Sequence, residues 1–202
     1  CLHSEKIIDS YKSKIPIVLL DRDYAGSELC SVVLDNKKSA SELTGRLIER
    51  GYRNIEFVSY STTLKNIIER EDGYRSEMRK SGLETNIKVH HPEYGNYGQV
   101  EEIILRAAGN GTEAIIFATY HLALLGRRAM IHNNIKVPCA FACFNNSDTF
   151  DIYERGMLYV KQPIEKFAKH AVELLMKRIS GEKAGSECEK IVLPPEIETT
   201  EI

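Results

Sequence analysis

Long apolar runs are absent from this sequence. The longest candidate, IPIVLL at residues 15–20, has the length of one strand, whereas about 20 apolar residues are needed to cross a bilayer. The sequence therefore predicts no membrane span.

An excess of charge of either sign is also absent. The 27 basic and 29 acidic residues give a formal net charge of −2, which excludes a chain whose bulk is a polycationic nucleic-acid binder. Hydrophobic residues make up 43% of the chain and are spread evenly, so an acidic disordered chain is excluded as well. This content is enough for one substantial core or two smaller ones.

Paired cysteines and catalytic motifs are missing too. An odd number of cysteines without a CxxC motif favours free thiols in a reducing compartment; they are Cys1, Cys30, Cys139, Cys143 and Cys188. No GxSxG, HExxH or Walker sequence occurs. His90 and His91 precede Pro92 in a predicted loop after a short strand. Adjacent residues of a strand point to opposite sides, which argues against one shared metal ion. We expect no enzyme, no metal and no cofactor.

The sequence does contain a regular alternation of short apolar strands and amphipathic helices. Strands are predicted at residues 15–20, 31–34, 54–58, 87–89, 113–117, 137–144, 157–160 and 191–193, and helices at residues 36–50, 67–80, 97–108, 120–132 and 163–181. This alternation predicts right-handed βαβ units, and therefore an α/β fold with mainly parallel sheets flanked by helices on both faces.

Polar residues directly follow several of these strands, namely Asp21-Arg22, residues 60–66, Thr119-Tyr120 and Asn145-Asn146. Because open α/β sheets bind ligands at the carboxyl ends of their strands, this pattern predicts a small-molecule cleft. Simpler alternatives stay open: a local Asp21–Arg22 ion pair, a chain turn at Asn145-Asn146, and a helix cap at Gln162.

Arg70 stands in the first turns of a predicted helix, where a positive charge opposes the helix macrodipole. This placement favours an anionic or hydroxyl-rich partner for the guanidinium. A solvated arginine is the alternative.

Eight segments together resemble the effector-binding core of the lac-repressor/galactose-repressor family of bacterial transcription regulators. In order they are IPIVLLDRDY (15–24), SVVLDN (31–36), LIERGYRNIEFVS (47–59), REDGYRSEMRKSGL (70–83), AIIFATYHLALLGRRAM (114–130), VPCAFACFNNSD (137–148), VKQPIEKFAKHAVELL (160–175) and IVLPPEI (191–197). The resemblance covers nearly the whole chain. It implies a two-lobed fold like that of periplasmic sugar receptors, with an effector bound between the lobes.

The resemblance also implies where the lobes divide. Residues 1–35 and 162–193 would be the remainder of an incomplete N-terminal lobe, and residues 36–161 and 194–202 would be the C-terminal lobe. The chain begins with Cys1 rather than Met, so we expect its true N-terminus to be missing. The resemblance implies that the DNA-binding head and the first strands of the N-terminal lobe lie upstream, absent from this chain.

Family positions that contact effector correspond here to Asp21, Asn66, Arg70, Thr119, Asn145 and Gln162, and an aromatic that stacks on the effector corresponds to Tyr94. The sequence departs from the family at three places. Thr119-Tyr120 stands for the usual Asn-Asp, residues 143–146 read Cys-Phe-Asn-Asn instead of Gly-Phe-Asp-Asp, and residues 155–158 lack the usual Pro-Pro-Leu-Thr. Two carboxylates of the cleft are thus missing, which favours a phosphorylated or acidic sugar over a plain neutral one.

The function implied is that of a cytoplasmic, homodimeric sensor that binds a sugar-like effector and controls operator DNA binding through an upstream helix-turn-helix head, without any contact to a membrane. The implied dimer interface contains Leu122, Leu125, Met130 and Tyr153, and ordinary inward packing of that helix is the alternative. The main rival function is a periplasmic sugar-binding receptor of a transport system. A third places the same sensor behind a different head, such as a winged helix.

Overall fold

The structure is a computed structural model, and it describes residues 2–23, 29–135, 139–145, 156–180 and 189–200. Its elements in chain order are α1 (Leu2–Tyr11), β1 (Val18–Leu20), β2 (Cys30–Leu34), α2 (Asn36–Glu49), β3 (Ile55–Val58), α3 (Lys65–Lys80), β4 (Lys88–His90), α4 (Tyr97–Gly109), β5 (Ala114–Phe117), α5 (Tyr120–His132), β6 (Ala140–Phe144), β7 (Leu158–Lys161), α6 (Ile164–Ile179), β8 (Lys190–Leu193) and β9 (Glu196–Thr199). A short 3₁₀ turn (Glu84–Asn86) precedes β4.

The chain divides into two units. Unit 1 contains Cys1–Asp35 and Pro163–Leu193, and unit 2 contains Asn36–Gln162 and Pro194–Ile202. Each unit therefore consists of two separate stretches of sequence.

Unit 1 contains a parallel three-stranded sheet in the order β1-β2-β8. The central strand β2 is buried along its whole length, since it consists of CSVVL and has a neighbour on either side. Helix α6 packs against all three strands. Its residues Phe167 and Leu174 are 4% and 3% exposed, so they supply its contact with the sheet.

Unit 2 contains a six-stranded sheet in the order β4-β3-β5-β6-β7-β9, parallel throughout except that β9 runs antiparallel to β7. On one face Tyr74 of α3 stacks on Phe57 of β3, with ring centroids 5.2 Å apart. On the other face α4 and α5 pack together in an apolar cluster with Val58 and Phe117. Helices thus cover both faces of the sheet.

The contact between α2 and α3 depends on a glycine. A Cβ placed on Gly73 would lie 2.1 Å from the carbonyl oxygen of Lys37 and 2.8 Å from Cβ of Ala40. Only a residue without a side chain lets the two helix backbones approach this closely.

Among the described residues of unit 2, Glu56 on β3 carries a buried carboxylate. Glu56 is 2% exposed, and its oxygens accept hydrogen bonds from Thr112 Oγ1 at 2.6 Å and pair with Nε2 of His90 at 2.7 Å and Nζ of Lys88 at 3.3 Å. Burial alone would raise its pKa, but the bonds and charges of these partners outweigh it and lower the pKa of Glu56 to about 2. Its charge is therefore satisfied inside the protein.

The predicted fold class is confirmed as α/β with mainly parallel sheets flanked by helices. Several details differ from the sequence prediction. Helix α1 (Leu2–Tyr11) was not predicted. Strand β1 begins at Val18 rather than Ile15, because Pro16 lacks an N–H to donate to a neighbouring strand. Strand β9 follows Pro194-Pro195, where the prediction ended the last strand.

The thiols that the structure describes, Cys30, Cys139 and Cys143, are free. Burial raises the pKa of Cys139 and of Cys143 to about 12, which keeps both protonated. Cys1 and Cys188 lie outside the described residues. Within the described ranges, no helix combines the length and apolar character needed to traverse a bilayer.

Candidate functional site

The strand order of the six-stranded sheet reverses at β3. From β3 the chain passes through α3 to β4 on one side, and from β4 it passes through α4 to β5 on the other side of β3. The carboxyl ends of β3 and β5 thus flank a topological switch point, the usual position of a ligand crevice in open α/β sheets. The residues that follow these strands are Ser59-Tyr60 and Ala118-Thr119.

Arg70 of α3 is fixed at this switch point. It is 3% exposed, its Nε donates to Oδ1 of Asn36 at 2.8 Å, and its Nη1 donates to the carbonyl of Ala118 at 2.7 Å. The guanidinium carbon lies 4.1 Å from the centroid of the Phe144 ring, a cation–π contact. A solvated Arg70, the alternative considered above, is therefore wrong. The partners come from α2, from the end of β5 and from β6, so the guanidinium plane is held in one orientation.

Asn145 follows β6 in a left-handed backbone conformation, with φ of 69°. Its N–H donates to the carbonyl of Val160 at 2.9 Å, and Sγ of Cys143 donates to its carbonyl at 3.0 Å. Its side-chain Oδ1 is buried, and no donor among the described residues reaches it. An unpaired buried acceptor costs about 1–3 kcal/mol. Asn145 thus turns the chain, as the simpler interpretation expected, and also presents an acceptor that a ligand can satisfy.

The other predicted residues of unit 2 stand at the same edge, because five of the six strands are parallel. Thr119 Oγ1 accepts from the N–H of Leu122 at 3.3 Å and caps α5, so its hydroxyl has a structural role. Asn66 Oδ1 accepts from the adjacent N–H of Ile67 at 3.0 Å. Gln162 is half-buried directly after β7. Asp21 belongs to unit 1, where it follows β1 with φ of 52°.

Tyr94 is the aromatic that the resemblance indicated, and it is 81% exposed. Its ring packs on Tyr60, with centroids 5.2 Å apart and planes inclined by 60°. A free aromatic face of this kind suits stacking against a ligand ring.

Sequence reasoning missed the pairing of Tyr60 with His121. Tyr60 Oη lies 2.8 Å from Nδ1 of His121, which joins the end of β3 to the start of α5 across the switch point. Burial, followed by the neighbouring Tyr94 and Tyr97, raises the pKa of Tyr60 to about 12, so Tyr60 remains a neutral phenol. The available signal was that Tyr60 lies two residues after one predicted strand and that His121 lies at the start of the predicted helix that follows another.

A cleft of about 240 Å³ opens beside this site and is lined by Ser59, Tyr60, Ser61, Thr62, Ile67, Ile68, Glu71 and His91. Glu71 pairs with Nε2 of His91 at 2.7 Å and with Nε of Arg75 at 2.7 Å. Burial would raise the pKa of Glu71, but hydrogen bonds from His91 and Arg75 outweigh it and lower that pKa. None of the seven predicted effector residues lines this cleft. Across the described residues, no group of three or more metal-ligating side chains is present.

The structure corrects part of the predicted dimer interface. Leu122 is 0% exposed and Met130 is 6% exposed, and both lie in the apolar cluster between α4, α5 and the sheet. Side chains enclosed in their own core cannot contact a second subunit, so the simpler interpretation of inward packing holds for these two. Leu125 is half-buried against the same cluster. Tyr153 lies outside the described residues.

Comparison with known proteins places this architecture in a family. The sequence profile of the periplasmic binding protein-like domain family matches residues 44–199. The chain belongs to this family. Catabolite control protein A of Staphylococcus aureus is 25% identical over 189 residues, which are 93% of this chain and 57% of that protein. The chain thus spans little more than half the length of that relative.

Solved structures of the same fold include regulators with bound sugars. A LacI family transcriptional regulator from Enterococcus faecium with bound ribose matches with a TM-score of 0.83 at 17% identity, over 98% of this chain and 75% of that one. A complex of the transcriptional regulator CelR with cellobiose matches with a TM-score of 0.80 at 24% identity, over 98% of this chain and 62% of that one. The resemblance to the lac-repressor/galactose-repressor family and the periplasmic-binding-protein-like fold are thereby confirmed.

Proposed function

We propose that this chain is the effector-sensing core of a bacterial transcription regulator, which binds a sugar or sugar derivative and thereby controls operator DNA binding by a helix-turn-helix head. The observation that carries the proposal is the buried guanidinium of Arg70, held at the switch point by Asn36, Ala118 and Phe144. A buried positive charge is tolerated only if it is well compensated. The plane of the Arg70 guanidinium is fixed, which suits bidentate recognition of hydroxyl or acidic groups.

Two further predicted residues of unit 2, Asn145 and Tyr94, indicate the chemistry of the effector. Asn145 offers a buried acceptor, which a ligand hydroxyl can satisfy. Tyr94 offers an exposed ring face. Ribose and cellobiose are the ligands of two structural neighbours, which supports a sugar-like effector. Since Asn145 replaces an acidic residue that is usual in the family, we favour a phosphorylated or acidic sugar.

We assign unit 1 to the remainder of the N-terminal lobe, with Asp21 as its contribution to effector binding, and unit 2 to the C-terminal lobe. An effector that prefers one arrangement of the lobes shifts their equilibrium by its difference in affinity. In a homodimer, this shift changes the spacing of two DNA-reading heads relative to their half-sites.

The named relative is a control protein and the structural neighbours are transcriptional regulators, which favours a regulator over a transport receptor. We accordingly propose that the chain is not an enzyme, acts in the cytoplasm, and takes no cofactor. Effector, operator DNA and a second subunit are its proposed partners.

Calorimetric titration of the chain tests this proposal. The panel pairs neutral sugars with their phosphorylated and carboxylated derivatives, and the proteins are the wild type, Arg70→Lys, and Arg75→Ala as a matched control on the same helix. We expect at least one panel member to bind the wild type and Arg75→Ala equally, and to bind Arg70→Lys at least tenfold more weakly, since an ammonium cannot reproduce the bidentate geometry. Equal binding by all three proteins would show that Arg70 does not contribute to effector binding.

A further inference from the structure

The cleft at the start of α3, here named the α3–β4 cleft, is separate from the surroundings of Arg70. Its lining consists of residues 59–62 and 67–68 together with Glu71 and His91. Glu71 reaches His91 directly after β4, whereas Arg70 reaches Ala118 directly after β5. Strands β4 and β5 lie on the two sides of β3, and consecutive residues of a helix point about 100° apart. The first turns of α3 therefore present two surfaces at one edge of the sheet.

Hydroxyl groups dominate the polar lining of the α3–β4 cleft. Ser59, Ser61 and Thr62 supply three of them, and Oγ1 of Thr62 accepts from the N–H of Leu64 at 3.2 Å. A hydroxyl group can donate one hydrogen bond and accept two. These groups can therefore match the hydroxyl groups of a ligand in either direction.

Glu71 adds a carboxylate whose charge is balanced within the protein. Its Oε2 pairs with Nε2 of His91, and its Oε1 accepts from Nε of Arg75, each at 2.7 Å. An ionised carboxylate has about four acceptor sites, so roughly two remain for hydroxyl donors of a ligand. The pair of Glu71 and Arg75 is neutral as a whole, which favours a neutral ligand over an ionised one.

Apolar surface lies beside these polar groups. Ile67 and Ile68 line the cleft, and Ile68 is 46% exposed. A ring that combines C–H surface with hydroxyl groups, as a sugar does, needs apolar and polar contacts together. The volume of about 240 Å³ is below the ~300–1,000 Å³ of sites for drug-sized ligands, which indicates room for one such ring.

Tyr60 connects the α3–β4 cleft with the surface at Arg70. Its ring lines the cleft and packs on Tyr94, while its Oη lies 2.8 Å from Nδ1 of His121 in the first turn of α5. Helix α5 follows β5, whose end supplies the carbonyl of Ala118 that accepts from Arg70. The two surfaces are therefore neighbours.

We propose that the α3–β4 cleft is a second carbohydrate subsite, which takes one neutral sugar ring through Glu71 and the hydroxyl groups of residues 59–62. The inference rests on the proposed function, because it concerns the same class of sugar-like effector. The ring belongs either to a disaccharide whose other unit lies at Arg70 or to a separate monosaccharide. The chemistry that the cleft recognises is the same for both sources.

Calorimetric titration with glucose, maltose, cellobiose and trehalose, and with their 6-phosphates, tests the subsite. The proteins are the wild type, Glu71→Gln and the control Glu77→Gln. Glu77 lies on the same helix and its side chain is 14% exposed, against 19% for Glu71, but it accepts from Ser41 of α2.

The two sources of the ring predict different titrations. For a linked ring, at least one disaccharide should bind the wild type and Glu77→Gln roughly tenfold more tightly than glucose or its phosphate, the effect of one hydrogen bond to a charged group. Glu71→Gln should lose this advantage. For a separate ring, the wild type and Glu77→Gln should bind two glucose molecules per chain, and Glu71→Gln should bind one.

Obstruction of the cleft gives a second test that leaves its charges in place. Ser61→Leu fills part of the cleft, and Thr63→Leu is the control, because Thr63 is exposed in the same loop but does not line the cleft. Ser61→Leu should reproduce the effect of Glu71→Gln, whereas Thr63→Leu should bind like the wild type, both with the circular dichroism of the wild type. Sugar binding that Glu71→Gln and Ser61→Leu both leave unchanged overturns the subsite, as does a wild type that binds none of these sugars.

Arg70→Lys, titrated with the same sugars, separates this inference from the proposed function. Weaker binding by Arg70→Lys together with unchanged binding by both cleft variants overturns the subsite and retains the effector site at Arg70. Weaker binding by both cleft variants together with unchanged binding by Arg70→Lys retains the subsite and contradicts the effector site.

Discussion

Replacing Arg70 by alanine removes two hydrogen bonds from a charged donor, to Asn36 and to the carbonyl of Ala118, and the cation–π contact with Phe144. Hydrogen bonds to charged groups contribute about 1.5–3 kcal/mol each. Rehydration of a guanidinium that is 3% exposed in the native state offsets part of the loss, since burying the charge was costly. We therefore expect Arg70→Ala to lower the free energy of unfolding by roughly 2–4 kcal/mol.

Urea denaturation followed by circular dichroism measures this loss, with Arg75→Ala as control. Arg75 lies on the same helix, is half-buried, and pairs with Glu71, so its removal should cost at most about 1 kcal/mol. Arg70→Ala should also weaken effector binding by roughly 10–100-fold, because each 1.4 kcal/mol is a factor of ten. An Arg70→Ala chain whose free energy of unfolding lies within about 0.5 kcal/mol of the wild-type value would contradict this prediction.

Three further predictions concern other positions. Gly73→Ala should destabilise the chain by roughly 1–3 kcal/mol, because its Cβ would overlap the carbonyl of Lys37. Asn145→Gly should raise the stability of the ligand-free chain by up to about 1 kcal/mol, since it removes an unpaired buried acceptor, and should weaken effector binding. Glu56→Gln should lower the free energy of unfolding by at most about 3 kcal/mol at neutral pH, and this loss of stability relative to the wild type should vanish in acid. The pKa of Glu56 is lowered from 4.5 to about 2 on folding, so its contribution is complete above pH ~4.5 and is lost as the pH falls through 2.

Urea midpoints and calorimetric titration check all three. Gly45→Ala is the control for Gly73→Ala, because a Cβ at Gly45 meets nothing closer than 3.7 Å; similar effects of the two substitutions would contradict the packing argument. A less stable Asn145→Gly chain that retains full effector affinity would contradict the role given to Asn145. If the difference in free energy of unfolding between wild type and Glu56→Gln grew as the pH falls, the predicted direction of the pH dependence would be wrong.

The order of strands and helices from β1 to β8 was largely predictable from the sequence, because most of these strands are short apolar runs and the helices between them have a one-sided apolar pattern. Helix α1 was not predicted. Helix α5 begins and ends at the predicted residues, Tyr120 and His132. Strand β9 was not predictable, since Glu196–Thr199 alternates without a clear apolar face and depends on non-local pairing with β7.

The candidate site was predictable as a set of strand ends but not as a set of contacts. The sequence places Arg70 on a helix, yet its partners lie 34 and 48 residues away, at Asn36 and Ala118. Leu122 and Met130 show why an apolar helix pattern cannot distinguish core from interface. The pattern is the same in both cases, and only the packing of α4 against α5 decides it.

Sequencing the gene upstream of the codon for Cys1 tests the central claim, that this chain senses an effector for a DNA-binding head. The account predicts a helix-turn-helix segment followed by two strand–helix units that complete the N-terminal lobe. A basic segment, an apolar segment of about 7–15 residues and a small-residue cleavage site would contradict it, and would make the chain part of a transport receptor instead.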